Sequence, residues 1–282
     1  MARKYFNKQH YIIDKENRVI KLLPEFYSEL KTFDKFRGYK KIGGSSVGDI
    51  LIENKYKSQF NAFCHITRLK LPVLSKKYIN AGTILEPKIF DLLRAKSPNL
   101  YIENYEAKNF NYDYFAGVDD VLSGVPDGYI PSLNRILEIK TAGESKKDKW
   151  EIEGVDASYR KQAQLYAYLM SKKLNKPITT YSIIAAFLID AQGDYLNPQA
   201  VDLNKRKIKS YTFNVNNAEV EEDIRLVKEW YYKYTSTDTS PQFDFSNDAD
   251  QLEYLECENY EQYNQLIARW KAIGKADKDF YD

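Results

Sequence analysis

The chain has 282 residues, of which 43% are hydrophobic and 29% are charged, and its formal net charge at neutral pH is +2. This composition supports a hydrophobic core and excludes disorder as the default expectation. No apolar run is long enough to span a bilayer, and the first ten residues lack a signal-peptide core, so we expect a cytoplasmic protein without a membrane partner. Two cysteines, Cys64 and Cys257, exclude a disulfide framework and any four-cysteine zinc or iron–sulfur site within one chain.

The charge is distributed unevenly along the chain. Residues 219–282 carry 16 acidic and 7 basic side chains, so their formal charge is −9 and that of residues 1–218 is +11. A solvated surface explains most charge runs, but clusters of Lys and Arg also offer contacts to phosphate groups. These clusters lie at residues 40–41, 146–149, 160–161 and 205–207. We therefore expect a basic domain over residues 1–218 and an acidic helical extension over residues 219–282, packed on that domain.

The first hundred residues are expected to contain helices. Apolar residues recur at helical spacing after the loop Gly43-Gly44, with a serine as the N-cap. A second apolar stripe, from Ile84 to Leu93, indicates a longer helix. The predicted helices are Pro24–Phe33, Ser45–Tyr56 and Lys77–Lys96.

The middle of the chain changes to short β-type runs separated by turns. We predict an antiparallel meander with strands Tyr114–Leu122, Gly124–Ile130 and Arg135–Thr141. The elements predicted after it are a helix at Ser158–Leu174, a buried strand at Thr180–Asp190, an edge strand at Lys207–Val215, and helices at Asn217–Tyr234 and Asp250–Ile273. This order predicts an α/β fold with a central mixed β-sheet flanked by helices and a helical C-terminal extension.

The chemistry is concentrated in two of these strands. Because side chains alternate along a strand, Glu138 and Lys140 share one face, while Leu137 and Ile139 point into the core on the other. Asp127 lies on the preceding strand, so two carboxylates can share a hard cation such as Mg²⁺ and leave Lys140 beside a water molecule. That arrangement suits attack on a phosphodiester. An isolated Glu-x-Lys on a strand is more often a surface ion pair, and this pattern alone favours that alternative.

The same residues resemble a known signature, that of the PD-(D/E)xK nuclease superfamily: Pro126-Asp127 followed by Glu138-Ile139-Lys140. Three further motifs occur in the order used by the lambda exonuclease and YqaJ-like viral recombinase family: Gly43-Gly-Ser45-Ser46, Gly82-Thr-Ile-Leu-Glu86-Pro87 and Gln162-Ala-Gln164-Leu-Tyr166. No single motif is specific, but their ordered occurrence between residues 40 and 170 is. The resemblance implies a restriction-endonuclease-like core.

The resemblance also implies roles for individual residues. The implied catalytic set is Glu86, Asp127, Glu138, Lys140 and Gln162. The three carboxylates would ligate Mg²⁺, for which Mn²⁺ substitutes, with the backbone carbonyl of Ile139 as a further ligand. Lys140 would position or activate the water, and Gln162 would orient the water or a phosphate. Two alternatives stay open: Thr83-x-x-Glu86 also satisfies a capping box, and Gln162 with Tyr166 also fits an ordinary helix surface.

A phosphate site is expected where the first motif begins a helix. Backbone N–H groups at a helix start favour anions, so Ser45, Ser46, Lys40, Lys41 and Tyr166 are candidates for binding DNA phosphates. Either serine is equally well explained as an N-cap. The family has an arginine seven residues before the equivalent of Ser45, where this chain has Gly38, so Arg37, Lys40 or Lys41 would have to replace it. Asp119 and Asp120 fit either an additional acidic position or a turn.

The resemblance implies an Mg²⁺-dependent DNA exonuclease that resects duplex ends, 5′ to 3′, in recombination or repair. By analogy it also implies a ring-shaped trimer, or a single-strand annealing protein as partner. The alternatives are a PD-(D/E)xK endonuclease of restriction or mobile-element type and a non-catalytic DNA-binding module. The intact acidic set with its lysine argues against the last, since a binding module need not retain four ionisable groups in one place.

Overall fold

The computed structural model describes residues 3–32, 37–52, 54 and 57–280. The chain forms two compact units. Unit one comprises Met1–Ile42, Asp49–Ser75 and Arg225–Asp282, and unit two comprises Gly43–Gly48 and Lys76–Ile224. The division of the chain into a basic domain and an acidic extension after residue 218 stays a prediction. That position lies inside a helix, Asn217–Thr235.

Unit two is built on a five-stranded sheet. Its strands are β3 (Glu103–Asn104), β4 (Gly128–Ile130), β5 (Arg135–Gly143), β6 (Thr180–Leu188) and β7 (Lys207–Asn214), and they are neighbours in that order. β5 and β6 are parallel, and the other neighbouring pairs are antiparallel. The predicted central mixed sheet and the predicted edge strand at its end are therefore confirmed.

Helices cover both faces of this sheet. They are α4 (Lys77–Lys96), α5 (Ser145–Glu153) and α6 (Ala157–Leu174). Leu137 of β5 lies in an apolar core with Leu85 and Ile89 of α4. The side chain of Lys140 points to the opposite face, where it contacts Gln162 of α6. The predicted alternation along β5 is confirmed, and it leaves α4 on the apolar face and α6 on the polar one.

Unit one is mainly helical. It contains the hairpin β1 (Tyr11–Asp14) and β2 (Val19–Leu22) and the helices α1 (Pro24–Thr32), α3 (Gln59–Ile66), α8 (Ala249–Glu256) and α9 (Tyr260–Ala272). Two further helices, α2 (Gly44–Leu51) and α7 (Asn217–Thr235), have residues in both units. The buried guanidinium of Arg3 joins the ends of the chain within unit one: it donates to the Tyr254 carbonyl and the Tyr11 hydroxyl and lies 4.0 Å from the centre of the Tyr254 ring.

One predicted strand, Tyr114–Leu122, is wrong. These residues form turns, and the two-residue strand β3 takes the predicted place beside β4. The carboxylate of Asp119 accepts hydrogen bonds from the N–H groups of Val121 and Leu122, which a strand would have used for pairing. The apolar side chains of this segment are nevertheless buried. The alternation of apolar and polar residues therefore reflects burial within turns and not a strand. Asp119 thus has the turn role.

The bounds of two predicted helices differ by more than one residue from those observed. The predicted final helix, 250–273, is two helices, because the side chain of Asn259 accepts from the N–H of Gln262 and begins α9 after a break. α2 begins at Gly44 and ends at Leu51, earlier than expected. The predicted helix ends at residues 33 and 56 lie outside the described residues. Within the part of the chain that the structure describes, no helix has the length and apolar character needed to cross a membrane.

The close approach of β3 to β4 predicts opposite effects for two glycine substitutions. A Cβ on Gly128 would lie 2.7 Å from the Glu103 carbonyl oxygen and 2.8 Å from Phe90 Cε1. We expect Gly128→Ala to lower the free energy of unfolding by about 1–3 kcal/mol, as overpacking does. In α4, a Cβ on Gly82 meets nothing nearer than Thr141 Oγ1 at 3.7 Å, so Gly82→Ala should raise it by about 0.5–1 kcal/mol. Urea unfolding measures both, and changes of equal sign would contradict this packing.

Candidate active site

The centre of the site is a glutamate and a lysine on β5. The Nζ atom of Lys140 lies 2.5 Å from Oε1 of Glu138, and the exposed fractions of the two side chains are 18% and 1%. A charged pair this deeply buried is unusual for a surface hairpin. The alternative of a surface ion pair, left open by the sequence, does not describe this pair.

Asp127 joins the pair from the residue before β4. Gly128 lies opposite Leu137 in the antiparallel register, so Asp127 falls opposite Glu138. The N–H of Ile139 donates to Oδ2 of Asp127 at 2.6 Å, and this bond aims the carboxylate at β5. The side chain of Ile139 is buried in the core, and the role of its carbonyl as a metal ligand stays a prediction.

Glu86 approaches from α4, and the carboxylates perturb one another. Burial, and then the charge of Asp127, raises the pKa of Glu86 to about 7 and that of Glu138 to about 8. Burial also raises the pKa of Asp127, although the charge of Lys140 and the hydrogen bond from the Ile139 N–H oppose that rise. Burial alone would lower the pKa of Lys140, but Glu138 and Asp127 outweigh it and raise that pKa to about 12. Three carboxyl groups therefore converge on one ammonium.

The capping-box explanation for Glu86 is wrong. Thr83 lies in the interior of α4, six residues after its start, and its hydroxyl donates to the Ile79 carbonyl one turn earlier. Neither residue is at a helix start, where a capping box forms. Glu86 instead faces the acidic cluster, since the charges of Asp127 and Lys140 both act on its carboxyl group.

Helix α6 contributes Gln162 and Tyr166. The side-chain carbonyl of Gln162 accepts from Lys140 Nζ at 3.3 Å, so the amide faces the site and is not an ordinary helix surface. Tyr166, one turn later, is buried. Burial raises the pKa of its hydroxyl, as do the charges of Glu138 and Asp127, which shows that the hydroxyl lies near both carboxylates.

The start of α2 packs against Tyr166. A Cβ on Gly44 would collide with the Tyr166 hydroxyl and the Gln162 side chain. The backbone of Gly44 lies beside the Tyr166 hydroxyl, and the Gly43 N–H donates to Oγ of Ser46. One backbone donor expected to hold a phosphate, the Gly43 N–H, is thus already engaged by Ser46. The predicted serine N-cap is wrong, since the helix begins at Gly44, before both serines, and the side chain of Ser45 is exposed. Phosphate binding by either serine stays a prediction.

Lys40 and Lys41 belong to unit one. There the ammonium of Lys40 is half-buried near Arg68 and Lys70, and burial together with these two charges lowers the pKa of Lys40. The same cations, after burial, lower the pKa of His65 to about 4. The Nε of Arg68 donates to the carbonyls of Arg37 and Gly38. Several cations therefore gather around the segment where the sequence placed a phosphate contact.

Sequence reasoning missed two contributors to the site. The ring of Tyr159 lies 4.9 Å from Lys140 Nζ, and the N–H of Tyr105 donates to the backbone carbonyl of Asp127 at 3.0 Å. Tyr159 could have been found, because it lies three residues before Gln162 and hence on the same face of α6. Tyr105 follows β3, whose two residues are too few for any periodic pattern.

The residues of this cluster fit a divalent cation. As the side chains lie in the described part of the chain, no group of three or more His, Cys, Asp or Glu residues could hold a metal ion without moving. Glu138 Oε2, however, is buried and has no hydrogen-bond partner among these residues. An unsatisfied carboxylate oxygen beside two further carboxyl groups is the oxygen donor set that Mg²⁺ prefers, and a cation would relieve their repulsion.

Comparison with known proteins identifies the family. The YqaJ-like viral recombinase domain matches residues 33–180, more than half of the chain. The chain therefore belongs to the YqaJ-like viral recombinase family, and the predicted membership in that family is confirmed.

The individual proteins that resemble this chain share only 11% to 25% of their aligned residues with it. Mycoplasma genitalium protein MG373 is 25% identical, over 72% of this chain and 83% of its own. An alkaline exonuclease of Laribacter hongkongensis aligns with 76% of this chain and 93% of its own at a TM-score of 0.48 and 11% identity. A phage-related exonuclease of Haemophilus somnus aligns with 70% of this chain and 94% of its own at a TM-score of 0.47 and 16% identity.

The raised pKa values predict how stability varies with pH in metal-free protein. The pKa values of Glu86 and Glu138 in the folded state exceed their ordinary value of 4.5, so the folded state binds more protons than the unfolded state between about pH 5 and pH 8. The free energy of unfolding should therefore fall as pH rises through this window. Urea unfolding in EDTA checks this, with Glu138→Gln as the variant whose stability should fall less steeply. Equal slopes for the two proteins would contradict the acidic cluster.

Proposed function

We propose that the protein is a metal-dependent deoxyribonuclease that degrades duplex DNA from its ends, 5′ to 3′, in recombination or repair. The observation that carries this proposal is the convergence of Glu86, Asp127 and Glu138 on the ammonium of Lys140. Membership in the YqaJ-like viral recombinase family supports it. The arrangement of carboxylates and lysine on two adjacent strands also supports phosphodiester hydrolysis over simple DNA binding.

The residues divide the work of hydrolysis among them. Glu86, Asp127 and Glu138 would hold Mg²⁺ or Mn²⁺. When bound, the ion supplies positive charge beside the scissile phosphate and lowers the pKa of a coordinated water. Lys140, with a pKa of about 12, keeps its proton near neutral pH, so it donates a hydrogen bond and orients water or phosphate. The carbonyl of Gln162 accepts from Lys140 and its side chain also contacts the Tyr166 hydroxyl, so one amide N–H would be left to donate to a phosphate oxygen.

The cations around Lys40 in unit one support the proposed preference for DNA ends. The half-buried ammonium of Lys40 lies in the field of Arg68 and Lys70, and gathered cations attract an anion. A terminal 5′ phosphate carries more negative charge than an internal phosphodiester, so it gains more from such a cluster. We therefore assign Lys40 and Lys41 to the 5′ phosphate.

Substitutions in the cluster test the nuclease. We expect Asp127→Ala, Glu138→Ala and Lys140→Ala each to lower the cleavage rate at least about 100-fold, because each removes an interaction with the reacting groups. The measurement is release of end label from linear duplex with Mg²⁺, with Ca²⁺ and with EDTA. Cleavage should require Mg²⁺ or Mn²⁺, while Ca²⁺ should bind without supporting turnover.

A matched pair of residues serves as the control. Glu151 and Lys209 form a Lys–Glu ion pair of 3.1 Å on the surface of the same unit. Glu151→Ala and Lys209→Ala should therefore leave the rate within about twofold of the parent. A folded Glu138→Ala protein that cleaves at the parental rate would remove the proposed site, and full activity in EDTA would remove the metal.

The end preference is tested with three DNA substrates. Linear duplex with 5′ phosphates should be digested faster than dephosphorylated duplex, and closed circles should resist. Lys40→Ala/Lys41→Ala should reduce the preference for phosphorylated ends without changing the Mg²⁺ requirement. The adjacent pair Lys172 and Lys173 on α6 offers the control, since Lys172→Ala/Lys173→Ala removes the same charge elsewhere. Equal rates on both kinds of end would contradict the phosphate contact, and rapid cutting of closed circles would favour the endonuclease alternative.

A further inference from the structure

The ring of Tyr159 is placed against the ammonium of Lys140. The distance from Nζ to the centre of the ring is 4.9 Å, within the range of a cation–π contact. Tyr159 lies in the first turn of α6, and its ring also contacts Trp150 edge-on at 5.8 Å. The tyrosine is partly exposed, so its ring borders the site rather than filling the core.

Among the residues that the structure describes, the ammonium of Lys140 has three contacts, and they differ in whether the contacting group would also bind a metal ion. Oε1 of Glu138 lies 2.5 Å from Nζ, Oε1 of Gln162 lies 3.3 Å away, and the third contact is the ring. Under the proposed function, Glu138 also binds a cation. When a carboxylate binds a divalent ion, it attracts a neighbouring ammonium less strongly, because the divalent ion repels the ammonium. The ammonium then depends on the contacts that do not bind the metal.

The face of the Tyr159 ring is suited to holding the ammonium of Lys140 while Glu138 binds the metal. It attracts a cation through its quadrupole, yet it carries no charge, so it does not compete for the metal. Gln162 alone would leave the ammonium with one neutral acceptor and a flexible four-carbon stem. Tyr159 and Gln162 lie three residues apart on one helix, so α6 presents both contacts as a rigid pair.

We propose that Tyr159 is the positioning residue of Lys140, and that its ring keeps the ammonium directed at the reacting phosphate while Glu138 binds the metal. This rests on the proposed function. Loss of the ring should leave Lys140 bound mainly to Glu138. Both the orientation of Lys140 and the binding of the cation should then suffer.

The first experiment measures steady-state cleavage of linear duplex DNA by Tyr159→Leu and Tyr159→Phe. The leucine variant should lower kcat roughly 2- to 30-fold, the range that one cation–π contact accounts for, with little change in KM. The phenylalanine variant, which keeps the ring, should restore the parental kcat. Tyr168→Leu is the matched control, because Lys172 Nζ lies 4.9 Å from the Tyr168 ring on the same helix.

The second experiment separates charge from packing. Phenylalanines with one, two and three fluorines at position 159 keep the shape of the ring but weaken its quadrupole stepwise. The value of kcat should fall with each added fluorine, whereas a ring that acts by packing against Trp150 would show no trend. Calorimetry with Mg²⁺ alone gives a readout without turnover, and Tyr159→Leu should weaken Mg²⁺ binding severalfold while Tyr159→Phe leaves it unchanged.

The outcomes distinguish this inference from the proposed function. Parental kcat and Mg²⁺ affinity in a folded Tyr159→Leu protein, or a flat fluorine series beside an active parent, would overturn the role of Tyr159 alone. A parent protein that neither binds Mg²⁺ nor cleaves DNA would overturn the proposed function, and the role of Tyr159 with it. A graded loss along the fluorine series, together with weaker Mg²⁺ binding by the leucine variant, supports the assignment.

Discussion

A carboxylate and an ammonium buried side by side on the central strand are the constraint on which the rest of the site depends. Burying either group in its charged form costs several kcal/mol, so the ammonium of Lys140 needs Glu138 as its partner, and burial raises the pKa of Glu138 to about 8. Side-chain alternation along β5 places both on one face, and the apolar residues Leu137 and Ile139 that alternate with them hold the strand in the core. The unsatisfied second oxygen of Glu138 then makes the cluster a place where a cation is favoured.

The elements next to β5 bring the other residues of the site to this pair. β4 approaches antiparallel and brings Asp127 opposite Glu138, and the N–H of Ile139 fixes the direction of that carboxylate. The parallel partner β6 can be reached only by a crossover, and the helix α6 lies in that crossover. α6 thereby comes to lie over the polar face and supplies Gln162 and Tyr159 to the ammonium.

The glycines near α2 illustrate how a motif can be recognised before its physical meaning is known. Gly43-Gly44 marks the expected helix start, and the sequence suggested a phosphate loop. In the structure Gly44 is needed because Tyr166 and Gln162 occupy the space of its Cβ, and Gly124, with a φ of +147°, faces the same tyrosine. The predicted serine N-cap is wrong, because the helix begins at Gly44, before both serines, and Ser46 accepts a hydrogen bond from the Gly43 N–H within the first turn.

Local periodicity by itself determined the long helix α4 and the polar face of β5, although it did not reveal the break between α8 and α9. α4 begins and ends where the sequence predicts, and the alternation of Glu138 with Leu137 required no knowledge of other segments. Such patterns are set by a few consecutive residues. The turns at 114–122 and the two-residue β3 were beyond this reasoning, because a carboxylate cap and a close backbone approach decided them.

Tertiary structure alone decided that Glu86, Gln162 and Tyr159 meet the residues of β5, since contacts between segments far apart in the chain depend on how whole elements pack.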